Sequence, residues 1–370
     1  MKQKPIVTFI LGTRPEAIKL APVIIKFKSC LSIKTKIILT GQHKEMVKTV
    51  MDTFELVEDL NINLMTQKQS LCDIASKTLI GLEKEFKRNE TKLVIVQGDT
   101  STAFSAALAA FYNKIPIGHV EAGLRTNNLF DPYPEEANRR MISEISSLNF
   151  APTNQAKDNL KSTFISANVT VTGNTVIDAI KLISEDIKLP NIKNINWEKN
   201  RVLIATIHRR ENWGTPLEEI AKGLLLIITK YKEISILIPL HKNKLVRDPI
   251  VRILGGHPRA ILVEPLEYKE FIGAMKGCSF ILTDSGGLQE EASSFSKPVL
   301  VLRDTTERQE AVDSGLAKLV GANSQSILKE ASLLIDNPED YIKMTKAKNP
   351  FGDGNASKRI LDECLKFLKL

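Results

Sequence analysis

Short apolar runs, each followed by an amphipathic stretch, recur along this chain and constrain its fold more than any other feature. IVTFIL (6–11) precedes PEAIKLAPVIIKFKS, KIILTG (36–41) precedes HKEMVKTVMDTF, and LVIVQGD (93–99) precedes TSTAFSAALAAFYN, with IPIGHVE at 115–121. The second half repeats the theme. RVLIATIH (201–208) precedes a helical segment from about Thr215, SILIPL (235–240) and AILVEPL (260–266) follow, FILTD (280–284) precedes GGLQEEASSFS, and PVLVLRD lies at 298–304. Brief Val/Ile/Leu runs separated by helical patterns read as parallel strands buried on both faces. The expected class is α/β with two doubly wound sheets. A length of 370 residues exceeds what one core usually serves, so two domains are expected. The break is expected within 173–200, where VTGNTVIDA gives way to the polar EDIKLPNIKNINWEKN. That assigns 1–175 to a first domain and 176–355 to a second. Two such domains facing each other would form a cleft at their strand C-terminal ends, where open α/β sheets bind ligands.

Composition narrows the classes. Fifty-one Lys and Arg against 43 Asp and Glu give a formal net charge of +8. This suits an anionic ligand, but no block of consecutive basic residues marks a nucleic-acid arm. The four cysteines, Cys30, Cys72, Cys278 and Cys364, are far apart, with neither zinc-site spacing nor a disulfide framework. A reducing cytoplasm is the expected location. Ile6–Leu11 is too short for a signal or membrane segment, and nowhere do 18 apolar residues run together, so no membrane association is expected.

Most polar motifs follow a strand-like run directly: GTRPE (12–16), GDTST (98–102), HVEAGLRT (119–126), HRREN (208–212) and DSGG (284–287). Asp284-Ser285-Gly286-Gly287 has the look of a serine-protease nucleophile, but it sits between an apolar run and a helix-like run, and the G-x-S-x-G of a nucleophile elbow is absent. Two glycines opening a helix expose backbone N–H groups that bind anions. Ser285 is therefore read as holding a phosphate rather than attacking a carbonyl, and Glu290 and Glu291 lie where a carboxylate can accept from sugar hydroxyls. Arg14 and Lys19 read either as ordinary residues near a helix start or as cationic contacts with an anionic substrate or leaving group. His208 reads either as an ordinary loop histidine or, opposite a diphosphate, as a group for leaving-group protonation or phosphate binding. Asp99 and Glu121 follow neighbouring strands, and crowded carboxylates split into acid and base. Asp99 has a competing reading as a helix N-cap, and Glu135 as a helix start after Pro134. GxGxxG, Walker A and HExxH are all absent, and the five histidines lack metal-ligand spacing, so neither cofactor nor metal is expected.

Taken together, GTRPEAIK, VQGDTSTAFSAALAAF, HVEAGLRT, PYPEEANRR, HRREN, TDSGGLQEEA, KPVLVLRDTTERQEAV and NPFGDGNASKRI resemble the non-hydrolysing UDP-N-acetylglucosamine 2-epimerases, in order and across almost the whole chain. The resemblance implies two Rossmann-like domains of the GT-B type, with a last helix at 356–370 returning to the first domain, and a homodimer. It implies interconversion of UDP-GlcNAc and UDP-ManNAc without metal or NAD, supplying ManNAc for surface polysaccharide. The implied route is elimination of UDP to 2-acetamidoglucal and re-addition. The implied catalytic groups are Asp99, Glu121 and Glu135, with His208 and Arg14 stabilising the diphosphate, Lys19 nearby, Ser285 and Gly286 (with Gly287) binding it, and Glu291 holding the ribose.

A second, activating UDP-GlcNAc pocket is implied at Gln42, Glu45, Lys68, Glu136, Arg209 and His241. Three positions depart from the family pattern: Glu45 stands for Gln, Lys68 for Arg, and Gln309 for the Pro after TTER. Lysine does not reproduce a bidentate arginine fork. Rival readings are a GT-B glycosyltransferase, a hydrolysing 2-epimerase, and the same chemistry on a UDP-2,3-diacetamido sugar.

Overall fold

A computed structural model of the chain describes residues 4–42, 44–64, 69–88, 90–126, 128–161, 168–184 and 187–370. The strands are β1 Ile6–Leu11, β2 Lys34–Leu39, β3 Leu60–Asn61, β4 Thr91–Gln97, β5 Ile117–Val120, β6 Leu148–Ala151, β7 Asn168–Val171, β8 Arg201–Thr206, β9 Ile234–Pro239, β10 Ala260–Val263, β11 Ile281–Thr283, β12 Val299–Val301 and β13 Ala317–Leu319. They form two sheets, ordered β3-β2-β1-β4-β5-β6-β7 and β10-β9-β8-β11-β12-β13. The strand pairs are parallel, as in β1 with β4 and β8 with β11. Both orders follow the Rossmann scheme, so each sheet has a topological switch point, between β1 and β4 in one and between β8 and β11 in the other. The fold class is α/β with two Rossmann-like doubly wound domains.

The chain divides into two compact units, Met1–Leu182 with Phe351–Leu370, and Ile183–Pro350. Within the first, the final helix Ala356–Phe367 packs against the first helix, Arg14–Lys28. Its start is held by Asp178, whose carboxylate accepts from the backbone N–H of Ser357 at 2.8 Å and of Ala356 at 3.2 Å. Anionic oxygens on these N–H groups satisfy donors that a helix N-terminus otherwise leaves open.

Apart from β10 at a sheet edge, the expected strands lie inside their sheets with side chains buried on both faces: Phe9, Leu11, Ile95 and Val96 are each fully buried, as are Leu203, Ile204 and Ala205. Strands β3, β6, β7 and β13 were not expected. They are short, and polar residues such as Asn61, Asn149, Thr170 and Lys318 interrupt their apolar pattern. The helix Ser101–Tyr112 is alanine-rich and lies against β4 and β1, where small side chains allow close approach. Thr100 caps it by accepting from the Ala103 N–H at 3.0 Å. In the second unit the helix Thr215–Lys230 presents Leu217, Ile220, Leu224 and Ile227 to one apolar core. Among the described residues no helix is long and apolar enough to cross a membrane.

Candidate functional site

Both sheets carry their polar motifs at the switch point, where adjacent strand ends diverge and leave room for a ligand. In the first unit this corner is built by the loops after β1, β4 and β5. Glu121 follows β5 with φ of 65°, a left-handed conformation that costs a non-glycine residue free energy. Its carboxylate is held by Lys19 Nζ at 2.5 Å and by the Gln97 side-chain amide. Lys19 comes from the helix Arg14–Lys28 and is only 8% exposed. Arg14 and Lys19 thus share a helix, and Lys19 is committed to Glu121.

Asp99 follows β4. It is not the helix cap, since Thr100 takes that place. Its carboxylate accepts from Arg139 Nε at 3.0 Å and Nη2 at 2.6 Å, and its carbonyl from Asn138 Nδ2 at 2.9 Å. Arg139 also donates to Glu136 at 2.7 Å, and Glu136, fully buried, accepts from Arg140 at 2.7 Å. The helix Glu135–Ile145 therefore reaches Asp99 through one guanidinium. Glu135 is its first residue and is half-buried. Asp99 and Glu121 stand at the ends of neighbouring strands with separate cationic partners.

Two further buried groups complete this corner. His119 on β5 donates Nε2–H to the Gly98 carbonyl at 2.8 Å, which pins the turn before Asp99. Burial pushes its pKa down to about 4, so its ring is neutral near pH 7. Glu16 accepts from the N–H of Gly12 at 2.5 Å and of Thr13 at 2.9 Å, and from the Thr100 hydroxyl. Burial raises its pKa to about 7 against the lowering effect of those hydrogen bonds, and Asp99 adds to the rise.

The second unit's corner gathers the loops after β8, β11 and β12. Asp284, fully buried, accepts from the backbone N–H of His208 at 3.0 Å, of Arg209 at 2.9 Å and from Asn212 Nδ2 at 3.0 Å. Its other oxygen lies 3.3 Å from His208 Nδ1. The His208 ring is half-exposed and stacks on His241, with centroids 6.2 Å apart and planes at 18°. Partial burial lowers the His208 pKa, while the Asp284 charge opposes that and Arg209 reinforces it.

Ser285 stands at the N-cap of the helix Gly286–Ser293 and makes no side-chain cap hydrogen bond. A Cβ at Gly286 would lie 2.7 Å from Glu307 Oε1, so a side chain there would have to displace that carboxylate. Glu307 is a hub: Arg209 at 2.8 Å, Arg303 at 2.7 Å and Arg308 at 3.1 Å converge on it. Burial acts to raise its pKa, but the three guanidiniums prevail and hold it far below the usual carboxylate range. Arg303 also meets Glu211, and Arg308 meets the buried Glu290 at 2.8 Å. Glu290 is thus an internal counter-ion, whereas Glu291 beside it is half-buried. The open N–H groups of this helix, with guanidiniums beside them, form a surface that can receive a diphosphate.

Of the residues singled out for a second pocket, Gln42 accepts from the Thr102 hydroxyl, Glu45 is exposed in the first turn of Lys44–Thr53, and Lys68 lies outside the described residues. Sequence reasoning passed over Glu16, Arg139, Asp284 and Glu307. Each sits inside a quoted motif, and membership of that motif was the one signal available.

Comparison with known proteins decides the family. The family model described as UDP-N-acetylglucosamine 2-epimerase matches residues 26–365. The chain belongs to the UDP-N-acetylglucosamine 2-epimerase family. Curated relatives of that name include a Neisseria meningitidis protein, 47% identical over 96% of this chain and 98% of its own length. A Bacillus subtilis protein is 44% identical over 99% and 96%. Among solved structures, the N. meningitidis UDP-GlcNAc 2-epimerase bound to UDP-GlcNAc superposes with a TM-score of 0.93, at 46% identity over 98% of this chain and 100% of that one. Staphylococcus aureus MnaA with UDP gives 0.92, at 43% identity over 100% and 97%. Family membership carries the GT-B type of the two Rossmann-like domains.

Proposed function

We propose that this chain interconverts UDP-GlcNAc and UDP-ManNAc by elimination and re-addition of UDP, and so supplies ManNAc for surface polysaccharide. The observation that carries the reading is a division of labour in a chain that matches UDP-GlcNAc 2-epimerases over nearly all of their length. Acids that can exchange protons end adjacent strands of one sheet, and an anion-receptive helix start with its arginines ends the other. The C2 proton of the sugar is not next to a carbonyl, so simple removal is hard. Loss of UDP from C1 as the C2 proton leaves gives 2-acetamidoglucal. UDP then adds back to C1 while C2 takes a proton from the opposite face. This needs two acid/base groups and a firm hold on the leaving diphosphate.

Asp99, Glu121 and Glu135 serve as the acid/base set. Asp284 turns His208 Nδ1 toward itself, which leaves Nε2 to face the leaving phosphate. Arg14, Arg209, Ser285, Gly286 and Gly287 hold the diphosphate, Lys19 orients Glu121, and Glu291 binds the ribose hydroxyls. Glu136 is the regulatory candidate nearest the chemistry; the Arg139 guanidinium it shares with Asp99 supports a link between the two. The working form is a homodimer.

The test is proton NMR of the purified protein with UDP-GlcNAc in D2O. UDP-ManNAc should appear, with deuterium at C2 of both sugars. Free ManNAc with UDP would mean hydrolysis instead. No change with UDP-GlcNAc, but turnover of a UDP-2,3-diacetamido sugar, would move the substrate.

A further inference from the structure

We infer that Glu16 is a positioning residue for this chemistry, its carboxyl group locking the helix start that carries Arg14 to the loop that carries Asp99. The inference rests on the proposed reading for its catalytic consequence, and on geometry for the lock itself. A glutamate at the third position of a helix commonly closes a local capping box. Glu16 does so, accepting from the N–H of Gly12 and Thr13 with one oxygen. Its other oxygen does something a local cap does not: it accepts from the hydroxyl of Thr100, 84 residues away. That same hydroxyl oxygen accepts from the Ala103 N–H and so caps the helix after Asp99.

One carboxyl group therefore joins two helix starts on either side of the switch point, between β1 and β4. Its neighbours leave it no slack. Glu16 is 1% exposed, and Gly12 is boxed in so tightly that a Cβ there would lie 2.7 Å from the hydroxyls of Thr40 and Thr102. On the far side, Arg139 holds Asp99 at 2.6 Å. Asp99 is thus clamped from two directions, by a guanidinium on its carboxylate and by Glu16 on the next residue.

The hydrogen-bond inventory says which substitution should rescue the lock. Two N–H groups meet one Glu16 oxygen, and a hydroxyl that can donate or accept meets the other. Glutamine can keep its carbonyl on the two N–H groups and turn its NH2 to the Thr100 oxygen. Alanine can do neither.

The experiment compares wild type, Glu16→Ala, Glu16→Gln and Thr100→Ala by kcat and KM for UDP-GlcNAc, with amide hydrogen exchange at residues 12–14 and 98–101. Glu16→Ala should lower kcat about 10- to 100-fold with KM changed less than about threefold, the signature of misplaced reacting groups. Exchange should rise in both loops together. Glu16→Gln should restore kcat to within about threefold and restore protection in both loops. Thr100→Ala cuts the same link from the other side and should reproduce the kcat loss, which also covers a Glu16→Ala that does not fold. Wild-type kcat in Thr100→Ala, or faster exchange in Glu16→Ala confined to residues 12–14, would reduce Glu16 to a local cap and overturn the inference. A wild type without epimerase activity would sink the functional reading instead, and the joint or separate response of the two loops to exchange would still decide the lock.

Discussion

The two corners stand at the same point of the same sheet topology, yet they hold charge in opposite ways. In the first unit the acids at the strand ends have different cations: Glu121 has Lys19, and Asp99 has Arg139, which Glu136 shares. In the second unit the cations crowd together, and three arginines share Glu307. The β-strand ends fix where a site can be; the loops fix what it can do. Because Glu121 and Asp99 have different cationic partners, each can exchange a proton without drawing on the other's. Three arginines gathered on Glu307, two of them also paired with Glu211 and Glu290, hold guanidinium donors beside the helix start at Gly286 while these carboxylates offset their mutual repulsion.

The largest expected effect is on the acid side. Asp99→Asn should lower kcat by roughly 100-fold or more, the range for a general acid or base, while UDP binding measured by calorimetry stays near wild type. Equal losses in kcat and UDP affinity would break the division between the units. The next effect is on the arginine side. Glu307→Gln keeps the shape but removes the shared charge, and should cost about 2 kcal/mol of stability. Saturating UDP should recover more of that loss in the variant than it adds to wild type, as read by thermal unfolding with and without UDP. Equal stabilisation of the two would mean that the arginine cluster does not face the diphosphate.

The smallest effect concerns pH. Glu16 has its folded pKa raised from 4.5 to about 7 by burial, so the folded state binds that proton more tightly than the unfolded chain. Its contribution is fully present below pH 4.5 and is lost as pH rises through 7. Glu16→Gln lacks this titration. Its melting temperature relative to wild type should therefore rise by roughly 2–5 °C between pH 5 and pH 8. A difference that stays flat with pH would show that the Glu16 carboxyl is well solvated.

How much of this was legible beforehand depends on the range of the interaction. The alternation of IVTFIL with a helical stretch marks β1 and the helix after it because a strand buried on both faces reads as an unbroken apolar run and a helix repeats its buried face every third to fourth residue. Strands β6 and β13 escaped notice because Asn149 and Lys318 interrupt runs of four and three residues. In the candidate site, Asp99 could be picked from GDTST, but its partner could not: Arg139 lies 40 residues on, in a helix whose own pattern does not name its target. The same holds for Lys19 and Glu121, separated by 102 residues.

By itself the sequence determined the α/β class, the presence of two wound sheets and the strand ends at which polar groups collect, because backbone periodicity and side-chain burial are set by neighbours in the chain. Only the tertiary structure decided which charges meet. The order of strands places β4 beside β1 across three intervening helices and two strands, and that crossover is what brings Glu16 to Thr100. Pairing energies fall steeply with distance and with solvent access, so the chemistry of each corner exists only once the parallel crossovers have closed around it.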